Sequence, residues 1–143
     1  MALTDRQLAV VLQACIEHAK MRLEEQGGFL PFGARARPDG EIEFVEARET
    51  GEEESLDAVY QRISALVAQA GRAKEIVAGA LVANTGLPEG AIGTFETAIT
   101  VQLEAPGFCR GVIAPYRLTG DGQRRVELGD LLPDVADAVI FAG

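Results

Sequence analysis

Cys15 and His18 stand three positions apart, a spacing that sets two side chains on one face of a helix. A thiolate beside an imidazole is nucleophile chemistry. Cys15, however, belongs to an apolar stripe, and apolar surroundings raise a thiol's pKa and quiet it. The reading adopted for Cys15 is a small buried core residue. His18 is the only histidine, and the second cysteine, Cys109, lies far along the chain. One histidine and two separated cysteines do not make a conventional zinc set. The run Glu52, Glu53, Glu54 reads as a solvated loop and not as a cation site. A serine hydrolase would need Ser55 or Ser64 with His18, and the G-x-S-x-G elbow is absent. The glycines form neither G-x-G-x-x-G nor a phosphate loop with its lysine. No metal and no cofactor are expected.

Carboxylates are the acid–base groups in quantity. Glu41, Glu43 and Glu46 are absorbed by an ion-pair ladder and a strand edge. Glu96 and Glu104 fall on one face of a later strand and could flank a pocket with Arg110. Alternating charge on an exposed sheet face is the commoner meaning of such a pattern.

The elements that position these residues follow from periodicity. Residues 4–26 read as a helix. Thr4 is its N-cap, Gln7 completes a capping box, and Gly27 and Gly28 end it. Leu8, Leu12, Cys15, Ile16, Ala19 and Leu23 are its apolar stripe. Residues 29–37 and 41–47 read as a hairpin around Pro38-Asp39-Gly40. A three-residue loop pairs Arg35 with Glu43 and Ala34 with Phe44, giving one ionic and one apolar face. A one-residue slip would mix them. After a charged loop over 48–54, Ser55 caps a second helix to about Gly71, with Leu56, Val59, Tyr60, Ile63, Leu66, Val67 and Ala70 as its stripe.

Residues 76–83 are an apolar run that suits a strand covered on both faces. Residues 94–104 alternate cleanly and 108–118 form the next strand. Taking Ala105-Pro106-Gly107 as the loop pairs Leu103 with Cys109, Val101 with Gly111, and Ile99 with Ile113. Thr100 then meets Val112 on the opposite face. Pro115 lacks an amide donor and so belongs at a strand end, an edge or a bulge. After an irregular stretch, 138–142 reads as a short final strand. The expectation is one α+β domain over 1–143. It has an antiparallel sheet of five to six strands and two amphipathic helices, in the order α-β-β-α-β-β-β-(β).

The 143 residues are 48% hydrophobic and carry a net charge of −9. A chain of this size buries a core without staples. Its basic pairs, Arg35/Arg37 and Arg124/Arg125, make no stripe, which argues against nucleic acid and against an anionic membrane surface. Two unpaired cysteines and the lack of a long apolar run fit a reducing, cytoplasmic setting.

The order of elements resembles the roadblock and profilin-like layouts, which begin helix, hairpin, helix and continue with a three-strand meander. The segment Phe29-Leu30-Pro31-Phe32-Gly33, followed by Asp39-Gly40, a helix and Val112 to Arg117, is similar to a widespread group of bacterial single-domain proteins with no established activity. Neither resemblance carries a function. Two readings remain. The first, favoured over an enzyme, is an interaction domain that forms a homodimer through the sheet face bearing Ala98, Thr100, Val112 and Ala114. The second is a small-molecule-binding or enzymatic domain with a pocket between the sheet and the Gly-rich turns, contacted by Asn84, Arg110 and Tyr116.

Overall fold

A computed structural model describes residues 4–46, 55–120 and 122–141. The charged stretch 48–54, with its three glutamates, and Ala142 lie outside these residues. The elements run α1 (Asp5–Gln26), β1 (Phe32–Ala36), β2 (Ile42–Glu46), α2 (Leu56–Arg72), β3 (Ala78–Gly86), β4 (Thr97–Ala105), β5 (Phe108–Thr119), β6 (Arg125–Leu128) and β7 (Leu132–Asp134). The fold is α+β with one antiparallel sheet in the order β2-β1-β3-β4-β5-β6, while β7 pairs with β5 beside β6. The sheet thus has one strand more than the five to six expected. Neither helix is long and apolar enough to cross a membrane.

Both helix starts are fixed locally. Thr4 accepts from the Gln7 amide while Gln7 reaches back to the Thr4 amide, the expected capping box. Ser55 accepts from the Ala58 amide. Gly27 ends α1 in the left-handed region at φ 78°. The last turn of α1 has no basic residue of its own. Arg124 supplies the charge from the far end of the chain, donating to the carbonyls of Glu24 and Glu25.

The first hairpin has the expected register, Arg35 opposite Glu43 and Ala34 opposite Phe44. Arg35 and Arg37 both pair with Glu43 on one face, while Ala34, Ala36, Ile42 and Phe44 join the core under α1. β2 and β3 both run antiparallel to β1 and so are parallel to each other, which requires a crossover. α2 makes it, and covers the opposite face from α1. Its approach is close because Gly33 and Gly79 lie beneath it. A Cβ on Gly33 would sit 2.6 Å from Val67 Cγ2, and one on Gly79 would sit 2.9 Å from Val67 Cγ1.

The second hairpin departs from expectation by one residue. Ala105 pairs with Phe108, so the loop is Pro106-Gly107 alone, and Val101 faces Val112 while Ile99 faces Ala114. Pro106 pre-sets φ for the first turn position and Gly107, at φ 75°, takes the positive φ of the second. A shift of one residue exchanges the faces of a whole strand. Val112, Ala114 and Tyr116 therefore share the face of Ile99 and Val101, whereas Ala98 and Thr100 lie on the other.

This overturns the patch expected to carry a homodimer. Ala98 and Thr100 do not share a face with Val112 and Ala114. Ala98, Val112 and Ala114 are buried within the chain. One helix lies on each face, with α2 over β1, β2 and β3, so the four residues do not form one exposed surface. Cys109 likewise faces Glu104 instead of Leu103, and it is half-buried.

Pro115 is paired inside β5, at neither end of the strand. Its carbonyl accepts from the Gly129 amide. A residue's N and O point to the same side of a strand, so its missing donor faces the gap between β7 (pairing 111–113) and β6 (pairing 116–119). The last strands fall at Arg125–Leu128 and Leu132–Asp134, not at 138–142. Residues 138–141 instead cross the α2 face. There Ile140 fills the slot above Gly71 and Gly79, and the Glu104 carboxylate accepts from the amides of Val139, Ile140 and Phe141.

Candidate functional site

β1 begins at Phe32, opposite Val82. β3 continues to Gly86, so Ala83, Asn84 and Thr85 extend past β1 on one side while staying paired to β4 on the other. The turn over 27–31 and the first turn of α2 close on this free end. They leave a cavity of about 230 Å3 lined by Phe29, Pro31, Leu56, Asp57, Tyr60, Ala83, Asn84 and Thr85. Leu56 opens the expected stripe of α2 but stays exposed, because it walls this cavity instead of meeting the sheet.

Two of the three residues expected to contact a ligand meet here. The Tyr116 hydroxyl donates to Asn84 Oδ1 at 2.6 Å. Tyr116 is only 3% exposed, and by register it and Asn84 lie on the face of the sheet that α1 covers. The Asn84 amino group has no acceptor among the described residues. Thr85 Oγ1 lies 3.3 Å from Thr100 Oγ1. Burial, and then the charge of Glu104, raise the Tyr60 phenol above its ordinary pKa. Arg110 does not take part. It pairs across from Leu103 near the β4–β5 turn and lies over the Phe108 ring, 5.4 Å from its centre. Its expected partners are dispersed too, since Glu96 is exposed before β4 and Glu104 is buried under the C-terminal segment.

A second cavity, of about 190 Å3, lies on the other side of Phe29 and Pro31. Arg22, Gln26, Leu30, Phe32 and Glu46 complete its lining. Glu46 is the last residue of β2, and its carboxylate meets two side chains of α1. His18 Nε2 is 2.7 Å from Oε1. Arg22 Nη2 donates to Oε2 at 2.7 Å and to Oε1 at 2.8 Å, and Arg22 Nε donates to Oε1 at 3.1 Å. Burial pushes the Glu46 carboxyl up, but the hydrogen bonds from His18 and Arg22 and the charge of both outweigh it. The group is held below its ordinary pKa. It is therefore an acceptor only, and His18 Nε2 is the donor. The His18 ring is fixed as well, stacked at 4.1 Å on Phe44 and edge-on to Phe32 at 4.8 Å.

The structure thus pairs His18 with Glu46, not with Cys15. Cys15 is fully buried, and burial pushes its thiol up to about 12. Ser55 is spent as a helix cap. Among the described residues, no three His, Cys, Asp or Glu side chains gather to hold a metal ion. Sequence reading missed Arg22, Phe29, Asp57 and Tyr60 as lining residues and took Glu46 for a strand-edge charge. One signal was present, because Phe44 and Glu46 alternate onto the face that α1 covers.

No protein-family model matches the chain, and no curated protein and no solved structure matches it.

Proposed function

We propose that this chain is a small-molecule-binding domain whose ligand occupies the cavity at the free end of β3. The observation that carries this reading is the hydrogen bond from buried Tyr116 to Asn84 Oδ1. A carboxamide held by its oxygen presents its amino group as a pre-positioned donor, and fixing a donor in advance lowers the entropy cost of binding. Asp57 adds a negative acceptor and Phe29, Pro31 and Leu56 add apolar wall. That is the usual make-up of a ligand pocket, apolar walls with a few placed polar groups. At about 230 Å3 the cavity suits a metabolite and not a drug-sized molecule. The matching ligand offers an acceptor to Asn84 and a donor to Asp57.

Binding is favoured over catalysis by the hydroxyls at hand. The Thr85 hydroxyl is hydrogen-bonded to that of Thr100, and Tyr60 is held protonated by burial. Neither is an activated nucleophile. The test is a thermal-shift screen of polar metabolites on the wild type, Asn84→Ala and Tyr116→Phe. A ligand at a hundred times its Kd should raise the wild-type Tm by about 5–10 °C. Asn84→Ala should abolish the shift and Tyr116→Phe should reduce it. If no compound stabilises the wild type, or if those that do stabilise Asn84→Ala equally, the reading fails.

A further inference from the structure

The Arg22–Glu46 cavity has a chemistry of its own. Its floor carries a cation and an anion side by side, and neither needs to leave the other to meet a ligand. The bonds from Arg22 to Glu46 use Nε and Nη2, and Nη1 has no partner among the described residues. Glu46 Oε2 receives a hydrogen from Arg22 Nη2 alone among the described residues, so it keeps lone-pair capacity. The pair is anchored from behind by His18, whose ring is clamped between Phe44 and Phe32. The facing walls are Phe29, Leu30, Pro31 and Phe32, and Leu30 is left exposed.

We infer that this cavity is a binding site for a zwitterion of the α-amino-acid type with an apolar side chain. The carboxylate of the ligand meets Arg22 Nη1 and its ammonium meets Glu46 Oε2, while the side chain lies against the Phe29–Phe32 wall. Adjacent opposite charges on a protein favour a ligand with adjacent opposite charges, since a ligand carrying only one is attracted by one group of the pair and repelled by its neighbour. A planar guanidinium is suited to a carboxylate. At about 190 Å3 the space is below the range that suits drug-sized ligands. The cavity's polar groups are distinct from Asn84, so the inference goes beyond the function proposed above and stands without it.

The test is calorimetric titration of the full chain with L-leucine, with 3-methylbutylamine (no carboxylate) and with 4-methylpentanoate (no amine). Leucine should bind, and each half-ligand should bind at least about tenfold more weakly, a difference of about 1.4 kcal/mol. Arg22→Gln should bind leucine no better than wild type binds the amine. Glu46→Gln should bind it no better than wild type binds the acid. Asn84→Ala should leave leucine binding unchanged, which separates this site from the neighbouring one. Absence of leucine binding up to about 10 mM overturns the inference, and so does equal affinity for all three probes. The analogue series on the wild type decides the matter even if the two charge variants fail to fold.

Discussion

Glu104→Gln isolates a feature on which the C-terminal segment depends. The Glu104 carboxylate is 0% exposed. Its Oε1 accepts from the amides of Val139 (3.1 Å), Ile140 (3.0 Å) and Phe141 (3.3 Å). Its Oε2 accepts from Val139 and, at 2.8 Å, from Gln102 Nε2. Glutamine keeps the volume and one oxygen. Its amino group must then face Gln102 Nε2, donor against donor. Loss of one hydrogen bond to an ionised group costs about 1.5–3 kcal/mol, and a donor left buried without a partner costs about 1–3 kcal/mol more.

The chain has a cheaper response, and that response sets the magnitude. Residues 138–141 can detach and let water satisfy the freed amides. Detachment exposes Ile140, 1% exposed in place, at a cost of about 1.5–3 kcal/mol, offset in part by the regained freedom of the segment. The smaller cost prevails, so Glu104→Gln should destabilise by about 1–2 kcal/mol. Urea denaturation measures this as a midpoint lowered by about 1 M. Hydrogen exchange should show lost protection at residues 139–141 while β3 and β4 keep theirs. Ile140→Ala acts through the same attachment, so the double variant should cost clearly less than the two single costs combined. Additive costs, or a midpoint within about 0.5 kcal/mol of wild type, would refute the reasoning.

Three further outcomes follow from the same geometry. Glu46 is held below its ordinary pKa, so its contribution to stability is complete above the unfolded value of about 4.3 and is lost as pH falls through the folded value. Denaturation measured across pH should therefore show a shallower acid decline for Glu46→Gln than for wild type below about pH 4. Cys109 is half-buried and its pKa is raised by burial and then by Glu104 and Asp137. Cys15 is enclosed, with its thiol pushed up to about 12. A thiol reagent at pH 8 should thus label Cys109 slowly in the native protein and reach Cys15 only on unfolding. Val112→Arg places a charge on a strand position that is 9% exposed, and calorimetry should show a Tm lowered by at least about 6 °C, as expected for a buried unpaired charge costing about 3 kcal/mol.

The local signals in the chain were sufficient for the parts of the fold that local chemistry determines. Thr4 with Gln7, Ser55 and Gly27 mark three helix ends because a cap is a contact between residues close in sequence. The first hairpin was legible because its two faces differ sharply, ionic against apolar, and only one register keeps them apart. The second hairpin lacked that contrast. Cys109, Gly111 and Ile113 look as apolar as Arg110, Val112 and Ala114 taken together, so either register gave a tolerable face. The deciding fact is the burial of Ala105, which keeps it in the strand and leaves Pro106-Gly107 as the whole turn. One misassigned alanine reversed β5 and assembled the expected patch from residues of opposite faces.

The candidate sites were hidden for a different reason. Arg22 and Glu46 are 24 positions apart, and a charge at the end of a strand is most often solvated. Their meeting depends on α1 covering the face of the sheet onto which Phe44 and Glu46 of β2 point, so that His18 and Arg22 reach them, while α2 takes the opposite face. Glu104 shows the same dependence over 35 to 37 positions. Alternation places it on the polar face of β4, and nothing near it reveals that the chain returns to bury it. In both cases a carboxylate becomes the group on which another segment is fastened, Glu46 at the end of the face that α1 covers and Glu104 on the polar face of β4. The sequence feature they share is an acid on the sheet side that a helix or a tail must cross. When a two-helix sheet of this kind has one helix on each face, no polar residue in the central part of a strand can be assigned to solvent by alternation alone.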